Sequence, residues 1–146
     1  MPSRDTTKTR TIEDKLLHQY WSAKGGRLYG EVPVGGPGGQ GDWPLGCEIR
    51  RIDAIILSDL PRGSPLPPHT ISDLLERLPH SGVELVEVKQ KLNRLVIGQV
   101  IAGADMFERQ YGVRPSTLTI VCQVTDPGLK WVCDRHGISV WVSPTP

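Results

Sequence analysis

The fold of this chain is decided by one short run, VELVEVK at residues 83–89. Aliphatic and β-branched residues dominate the run and turn-forming residues precede it, which predicts a buried strand. The run also carries charge, although an unpaired charge inside a core is strongly unfavourable. Successive side chains of a strand alternate between its faces, so Glu87 and Lys89 share one face and Val88 lies on the other. An acid and a base on one side of a core strand therefore need an explanation.

A second run, RIDAIIL at residues 51–57, has the same character. Asp53 lies within it between aliphatic neighbours, where an acid has no ordinary structural reason to be. Asp59, at the end of the same stretch, is an alternative acid. If the two strands are neighbours in the sheet, the carboxylates of Asp53 and Glu87 converge on one place.

The remaining sequence predicts one α/β domain, because 146 residues are enough for a single core. The element order is α-β-β-(α)-β-α-β-α-β, which favours a mixed central sheet with helices on both faces. The polar residues 1–10 are expected to form a flexible basic arm before a domain at residues 11–146. A Pro-rich and helical insertion at residues 61–82 separates the two charged strands.

Caps and periodicity locate the individual elements. The first helix is expected to begin at the cap Thr11, so that Glu13 lies in its first turn. The expected caps of the later helices are Thr70 or Ser72, Asn93, and Asp126 before Pro127. The predicted strands are residues 27–34, 49–57, 83–89, 116–124 and 138–142. In the first of these strands, Leu28, Val32 and Val34 are expected to share a face.

The composition excludes some classes of protein. A net charge of +1 argues against a chain that coats nucleic acid by bulk charge alone. The sequence has no apolar run long enough for a membrane span and no signal-like N-terminus, so we expect a cytoplasmic protein without a membrane partner. The three cysteines are widely spaced and form no metal-ligand pattern, which is typical of reduced thiols.

The two charged strands together suit a particular chemistry. The carboxylates of Asp53 and Glu87, with the backbone carbonyl of Val88, are hard oxygen ligands of the kind that Mg²⁺ or Mn²⁺ prefers. Beside such a metal, Lys89 can orient or deprotonate an attacking water, or stabilise charge that develops on a phosphate. Hydrolysis of a phosphodiester needs a metal ion, an activated water and a cation near the phosphorus atom.

The pattern Asp53…Glu87-Val88-Lys89, in α-β-β-β-α-β order, resembles the PD-(D/E)XK nuclease superfamily with its restriction-endonuclease-like fold. The resemblance covers roughly residues 11–142. It implies a nuclease that hydrolyses DNA with Mg²⁺ or Mn²⁺, in which the acids and the Val88 carbonyl hold the metal and the lysine assists catalysis. Members of this superfamily act in repair, recombination, restriction and defence.

The same resemblance implies supporting residues. An acid of the first helix often assists the metal, which points to Glu13, and a glutamine of the helix after the third strand matches Gln99. Lys91 and Arg94 follow the charged strand and are candidate contacts to a phosphate backbone, although an ordinary solvated turn explains them equally well. The chain departs from the family pattern because Ile52 replaces the usual proline and because the gap between the charged strands is wide.

A small domain leaves little surface to grip a duplex, so we expect a homodimer or a partner protein that supplies recognition. Two other interpretations come from different classes. One is a catalytically silent nuclease-like module that binds nucleic acid or assembles with a partner. The other is an α/β interaction protein in which the Glu-x-Lys pattern arose by chance.

Overall fold

A computed structural model describes residues 4–37, 41–62 and 70–144. Within these residues the chain forms a five-stranded mixed sheet flanked by helices, which confirms the predicted α/β class and element order. The elements are α1 (Arg4–Lys24), β1 (Arg27–Val34), β2 (Arg50–Leu57), α2 (Ile71–Arg77), β3 (Val83–Lys91), α3 (Arg94–Tyr111), β4 (Thr117–Val124), α4 (Pro127–Arg135) and β5 (Ile138–Val142). A 3-10 turn, Leu78–His80, follows α2.

The strands lie in the sheet in chain order, from β1 to β5. Neighbours are antiparallel from β1 to β3 and parallel from β3 to β5, with α3 and α4 as the crossovers of the parallel part. The insertion between β2 and β3 does not separate them, since Ala54 pairs with Val86 and Leu57 with Val83. The condition on which the convergence of Asp53 and Glu87 depended, that their strands are neighbours, is therefore met. Residues 63–69 of this insertion lie outside the described residues.

Hydrophobic clusters fill both faces of the sheet. The smaller cluster packs α1 against the sheet through Leu16, Tyr20, Trp21, Ala54, Ile56, Val86, Val88 and Val121. The larger cluster joins the opposite face to α2, α3 and α4, and its largest buried side chains include Tyr29, Ile55, Leu74, Leu85, Phe107 and Ile120. Burial of apolar surface on both faces stabilises β3 at the centre of the sheet.

Three predicted helix caps are confirmed. The side chains of Thr70, Asn93 and Asp126 each accept a hydrogen bond from the backbone N–H three residues later. Such a bond satisfies one of the N–H groups that the first turn leaves without a partner. Thr70, rather than Ser72, is the cap of α2.

The predicted start of α1 is wrong, because the helix begins at Arg4 rather than after Thr11. Residues 4–10 are therefore helical, and residues 1–3 lie outside the described part of the chain. Once a helix is nucleated by a packed segment, each further residue adds one hydrogen bond without a new nucleation cost. The correction moves Glu13 from the first turn to the middle of the helix.

The prediction that Leu28, Val32 and Val34 share a face is also wrong. Val32 and Val34 belong to the larger cluster, whereas Leu28 packs against the smaller cluster on the other side of the sheet. The alternation breaks at Glu31, whose φ of 56° lies in the left-handed region. This distortion lies opposite Asp53 on β2.

A buried polar network anchors α1 to the sheet. Glu84, in β3, is buried and accepts hydrogen bonds from the Tyr20 hydroxyl of α1 and, at 2.7 Å, from the Thr119 hydroxyl of β4. Burial and the bond to Glu84 raise the pKa of Tyr20 above its ordinary range. Because both donors point at one carboxylate, the network fixes the height of α1 over the sheet.

Tyr20→Phe is expected to lower the free energy of unfolding by about 1.5–3 kcal/mol, because a hydrogen bond to a buried charged group is lost. Tyr111→Phe is the control, since the Tyr111 hydroxyl donates to a neutral backbone carbonyl at Pro33 and its loss should cost about 0.5–1.5 kcal/mol. Urea denaturation measures the free energy of unfolding of both variants and of the wild type. An equal loss in the two variants would contradict the special role of Glu84.

Candidate active site

The candidate site lies where β2 and β3 stop pairing. Their backbone pairing ends at Ala54 and Val86, and the same register continued by one residue sets Asp53 opposite Glu87. Instead of a backbone pair, the Asp53 carboxylate accepts a hydrogen bond from the Val88 N–H at 2.8 Å. The strands separate here, so the Val88 N–H has no backbone acceptor on β2, and the Asp53 carboxylate accepts its hydrogen bond instead.

Asp53 also faces a gap in the pairing on its other side. The ladder between β1 and β2 pairs Gly30 with Ala54 and Val32 with Ile52, and it omits the position between them. That position is occupied by Glu31, the residue with positive φ. Three acids on three adjacent strands therefore lie at one level of the sheet.

Glu87 is the most perturbed acid of the site. Its side chain is buried, and burial together with the neighbouring Asp53 carboxylate raises the pKa of Glu87 to about 9. The two carboxyl groups are within hydrogen-bonding reach of each other. At neutral pH such a pair retains a proton, because two adjacent negative charges in a poorly solvated place repel.

Burial also raises the pKa of Asp53, although the Val88 N–H and the Lys89 ammonium act in the opposite direction. The Glu31 carboxylate adds to the increase. On the β3 side, Asp53 therefore faces the Val88 N–H and the Lys89 ammonium. On the β1 side, it faces the Glu31 carboxylate. This combination of a desolvated acid and specific charged neighbours is typical of functional sites.

Helix α1 and strand β3 contribute Glu13 and Lys89 to the same place. Burial raises the pKa of Glu13, the nearby Lys89 ammonium lowers it, and the Asp53 carboxylate raises it. The Oε2 atom of Glu13 is buried without a hydrogen-bond partner among the described residues. The structure thus brings together Glu13, Asp53, Glu87 and Lys89, the four charged residues of the predicted catalytic and metal set.

An acidic cleft opens from the site toward α1. It has a volume of about 280 Å³ and is lined by Glu13, Asp14, Leu17, Gly30, Glu31, Asp53 and Val88. Carboxylates contribute most of its polar groups. A cleft of this charge concentrates cations beside Asp53.

A larger basic cleft opens on the opposite face, between the start of β2 and α3. It has a volume of about 620 Å³ and is lined by Val34, Arg50, Arg51, Ile52, Glu87, Arg94, Leu95, Gly98, Gln99, Ala102, Gly103 and Met106. Glu87 belongs to this cleft, while Asp53 lines the acidic cleft. The two clefts therefore meet at the carboxylate pair.

The remaining predicted residues have different positions. Gln99 and Arg94 are exposed on α3 and line the basic cleft. Lys91 is exposed at the end of β3 and is not among the lining residues of either cleft. Asp59, the alternative acid, accepts a hydrogen bond from the Gly82 N–H at the other end of β2. This bond ties the residues that follow β2 to the residue that precedes β3, and it lies far from the site.

Sequence reasoning missed Glu31, Arg50 and Arg51. A signal for Glu31 was present, because Gly30 inside a strand pattern often marks a local distortion of the sheet. The paired arginines at the start of β2 were a local concentration of positive charge that the small net charge concealed.

The donor set of the carboxylate pair suits a hard divalent cation. Mg²⁺ commonly binds one or two carboxylates and completes its shell with water and substrate oxygens. A bound cation would give the unpartnered Glu13 oxygen a partner and would offset the burial and repulsion that raise the pKa of Asp53 and Glu87. Among the described residues, no three His, Cys, Asp or Glu side chains are arranged to hold one metal ion. A cation here would therefore depend on two carboxylates, the Val88 carbonyl and water.

No family model, curated protein or solved structure matches this chain. In the part of the chain that the structure describes, none of the helices has the length and apolar character needed to cross a bilayer.

Glu87→Gln is expected to raise the free energy of unfolding at pH 8 by about 1–3 kcal/mol, because it removes a poorly solvated acid. The pKa of Glu87 rises from an ordinary value of 4.5 to about 9 on folding. Between these values the folded state holds a proton that the unfolded state has lost, so wild-type stability falls as pH rises. Denaturation from pH 5 to 9 should show this fall in the wild type and a flatter profile in the variant.

Glu84→Gln is the matched control, since it makes the same change three residues earlier on the same strand. Two hydroxyl donors point at the Glu84 carboxylate, so this variant should be less stable than the wild type. A destabilised Glu87→Gln protein would contradict the charge repulsion described for the site.

Proposed function

We propose that this chain is a PD-(D/E)XK nuclease with a restriction-endonuclease-like fold, which hydrolyses DNA phosphodiester bonds with Mg²⁺ or Mn²⁺. The observation that carries the proposal is the placement of Asp53 opposite Glu87, with Lys89 beside them, where two core strands separate. The sheet order supports it, because the acid lies on the second strand and the Glu-x-Lys pair on the third.

The charge around the site supports phosphodiester chemistry rather than a purely structural role. The acidic cleft offers oxygen ligands on the α1 side, and the basic cleft offers three arginines on the α3 side. A cation and a phosphate group approach one point from opposite directions in this arrangement. An interaction protein with a chance Glu-x-Lys pattern would explain neither the opposite charges of the two clefts nor the buried pair of acids. The mutual repulsion of these acids is unfavourable for folding.

Each residue has a distinct role in the proposed reaction. Asp53 and Glu87, with the Val88 carbonyl, would hold the cation, which would supply Lewis-acid chemistry at the phosphate. Lys89 orients the attacking water and stabilises negative charge that develops on the phosphate oxygens. The Val88 N–H fixes the direction of the Asp53 carboxylate, so that the site is preorganised.

Two residues support this set. Glu13 faces the carboxylates from α1 and is held there by the Tyr20 to Glu84 bond that anchors the helix. Gln99 lines the basic cleft together with Glu87 and contacts the substrate backbone. A second copy of the chain, or a partner protein, supplies the recognition that a domain of this size lacks.

Cleavage of plasmid and branched DNA in the presence of Mg²⁺ or Mn²⁺ tests the proposal. Asp53→Asn and Lys89→Ala should each reduce the cleavage rate by roughly 100-fold or more, as expected for groups that stabilise developing charge. Wild-type protein treated with EDTA should be inactive.

Asp59→Asn is the matched control, because it changes an acid on the same stretch that bonds to Gly82 far from the site. This variant should retain wild-type cleavage. Cleavage that survives Asp53→Asn and Lys89→Ala would overturn the mechanism. Metal-dependent binding of DNA without cleavage would favour a catalytically silent module instead.

A further inference from the structure

The basic cleft has features that the proposed hydrolysis itself does not need. Its volume of about 620 Å³ falls in the range of roughly 300–1,000 Å³ that small ligands occupy. Its lining comes mainly from the start of β2 and from α3, and Glu87 of β3 is also a lining residue. A space of this size takes a nucleotide or two of one strand and is too small to enclose a duplex.

Two cations at the rim of this cleft are available to a ligand. Arg51 and Arg94 are exposed, and neither forms an ion pair with another described residue. Arg50 differs, because it bonds to the Glu48 carbonyl and lies 3.9 Å from the Glu48 carboxylate. Exposed arginines without partners are the usual contacts to phosphate oxygens.

The floor of the cleft is apolar and built from small residues. Gly98 and Ala102 are exposed small residues on α3, Gly103 packs against Ile52, and Met106 adds apolar surface. A Cβ atom added at Gly98 would meet no atom within 4 Å, so this part of the cleft is open. An unpaired base can lie against such an apolar surface while its phosphates contact the exposed arginines.

We propose that the basic cleft binds an unpaired DNA strand and delivers its phosphate to the carboxylate pair, so that the protein prefers single-stranded or flapped DNA to uninterrupted duplex. This inference rests on the proposed nuclease function and adds the substrate class. Arg51 and Arg94 hold phosphates at the rim, and the surface around Gly98 accommodates a base. Glu87 lines the same cleft and belongs to the carboxylate pair, so a strand bound there reaches the site.

Fluorescence anisotropy in EDTA tests this inference without cleavage. The probes are fluorescein-labelled single-stranded DNA, the matching duplex, and the duplex with an unpaired flap. The single strand and the flap should bind more tightly than the duplex. Arg51→Ala and Arg94→Ala should each weaken binding of the single strand by roughly 10-fold and make its salt dependence shallower.

Gly98→Leu tests the shape of the cleft independently of charge. The added side chain enters open space on an exposed helix position, so the variant should fold while its affinity for the single strand falls. Lys24→Ala is the control: it removes a charge at the end of α1, near the opposite end of β2, and should leave binding unchanged.

The outcomes separate this inference from the nuclease proposal. Equal or tighter binding of the duplex, or full affinity of Gly98→Leu for the single strand, would overturn the cleft assignment even if the protein cleaves DNA. A strand preference that is lost in Gly98→Leu, in a protein that cleaves no DNA with Mg²⁺ or Mn²⁺, would support the cleft and overturn the nuclease function.

Discussion

One hydrogen bond, from the Val88 N–H to the Asp53 carboxylate, sets the geometry on which the site depends. It joins β2 to β3 where their backbone pairing has ended, at a distance of 2.8 Å. A continued backbone ladder would close the sheet at this level and leave no space for a ligand between the strands. Here the backbones of β2 and β3 separate, and the Asp53 side chain bonds to β3 in place of the backbone. Two clefts of opposite charge therefore reach the same pair of acids.

The two buried glutamates of β3 have opposite electrostatic surroundings. Glu84 accepts hydrogen bonds from Tyr20 and Thr119 and stabilises the docking of α1. Glu87, three residues later, faces another carboxylate and has a strongly raised pKa. Burial alone does not distinguish them, since both side chains are nearly inaccessible. They differ in their neighbours: hydroxyl groups donate hydrogen bonds to Glu84, whereas a second carboxylate repels the charge of Glu87.

Much of the fold was predictable because local signals determine it. The caps Asn93 and Asp126 fix where two helices begin, and the aliphatic runs around Asp53 and Glu87 fix two core strands. The pairing of these acids was a hypothesis that required their strands to be neighbours. The sequence could not establish this, because the long segment between β2 and β3 carries no turn signal that sets a register.

The rest of the site depends on long-range packing. Glu31 reaches the level of Asp53 through the register of β1 on β2, and a long loop joins these strands. That loop is anchored on α3, where Gln110 accepts bonds from the Gly35 N–H and the Trp43 indole. The extent of α1 was likewise unpredictable, because polar residues before Thr11 extend a helix that is stabilised further along the chain.

Anomalous X-ray diffraction from crystals soaked in Mn²⁺ is the sharpest test of whether Asp53 and Glu87 form one cation site. We expect an anomalous peak within about 2.5 Å of an oxygen atom from each carboxylate, close to the Val88 carbonyl. The peak should vanish in crystals of Asp53→Asn. A well-ordered site without a peak, or Mn²⁺ bound by other residues instead, would show that the two acids do not form a cation site.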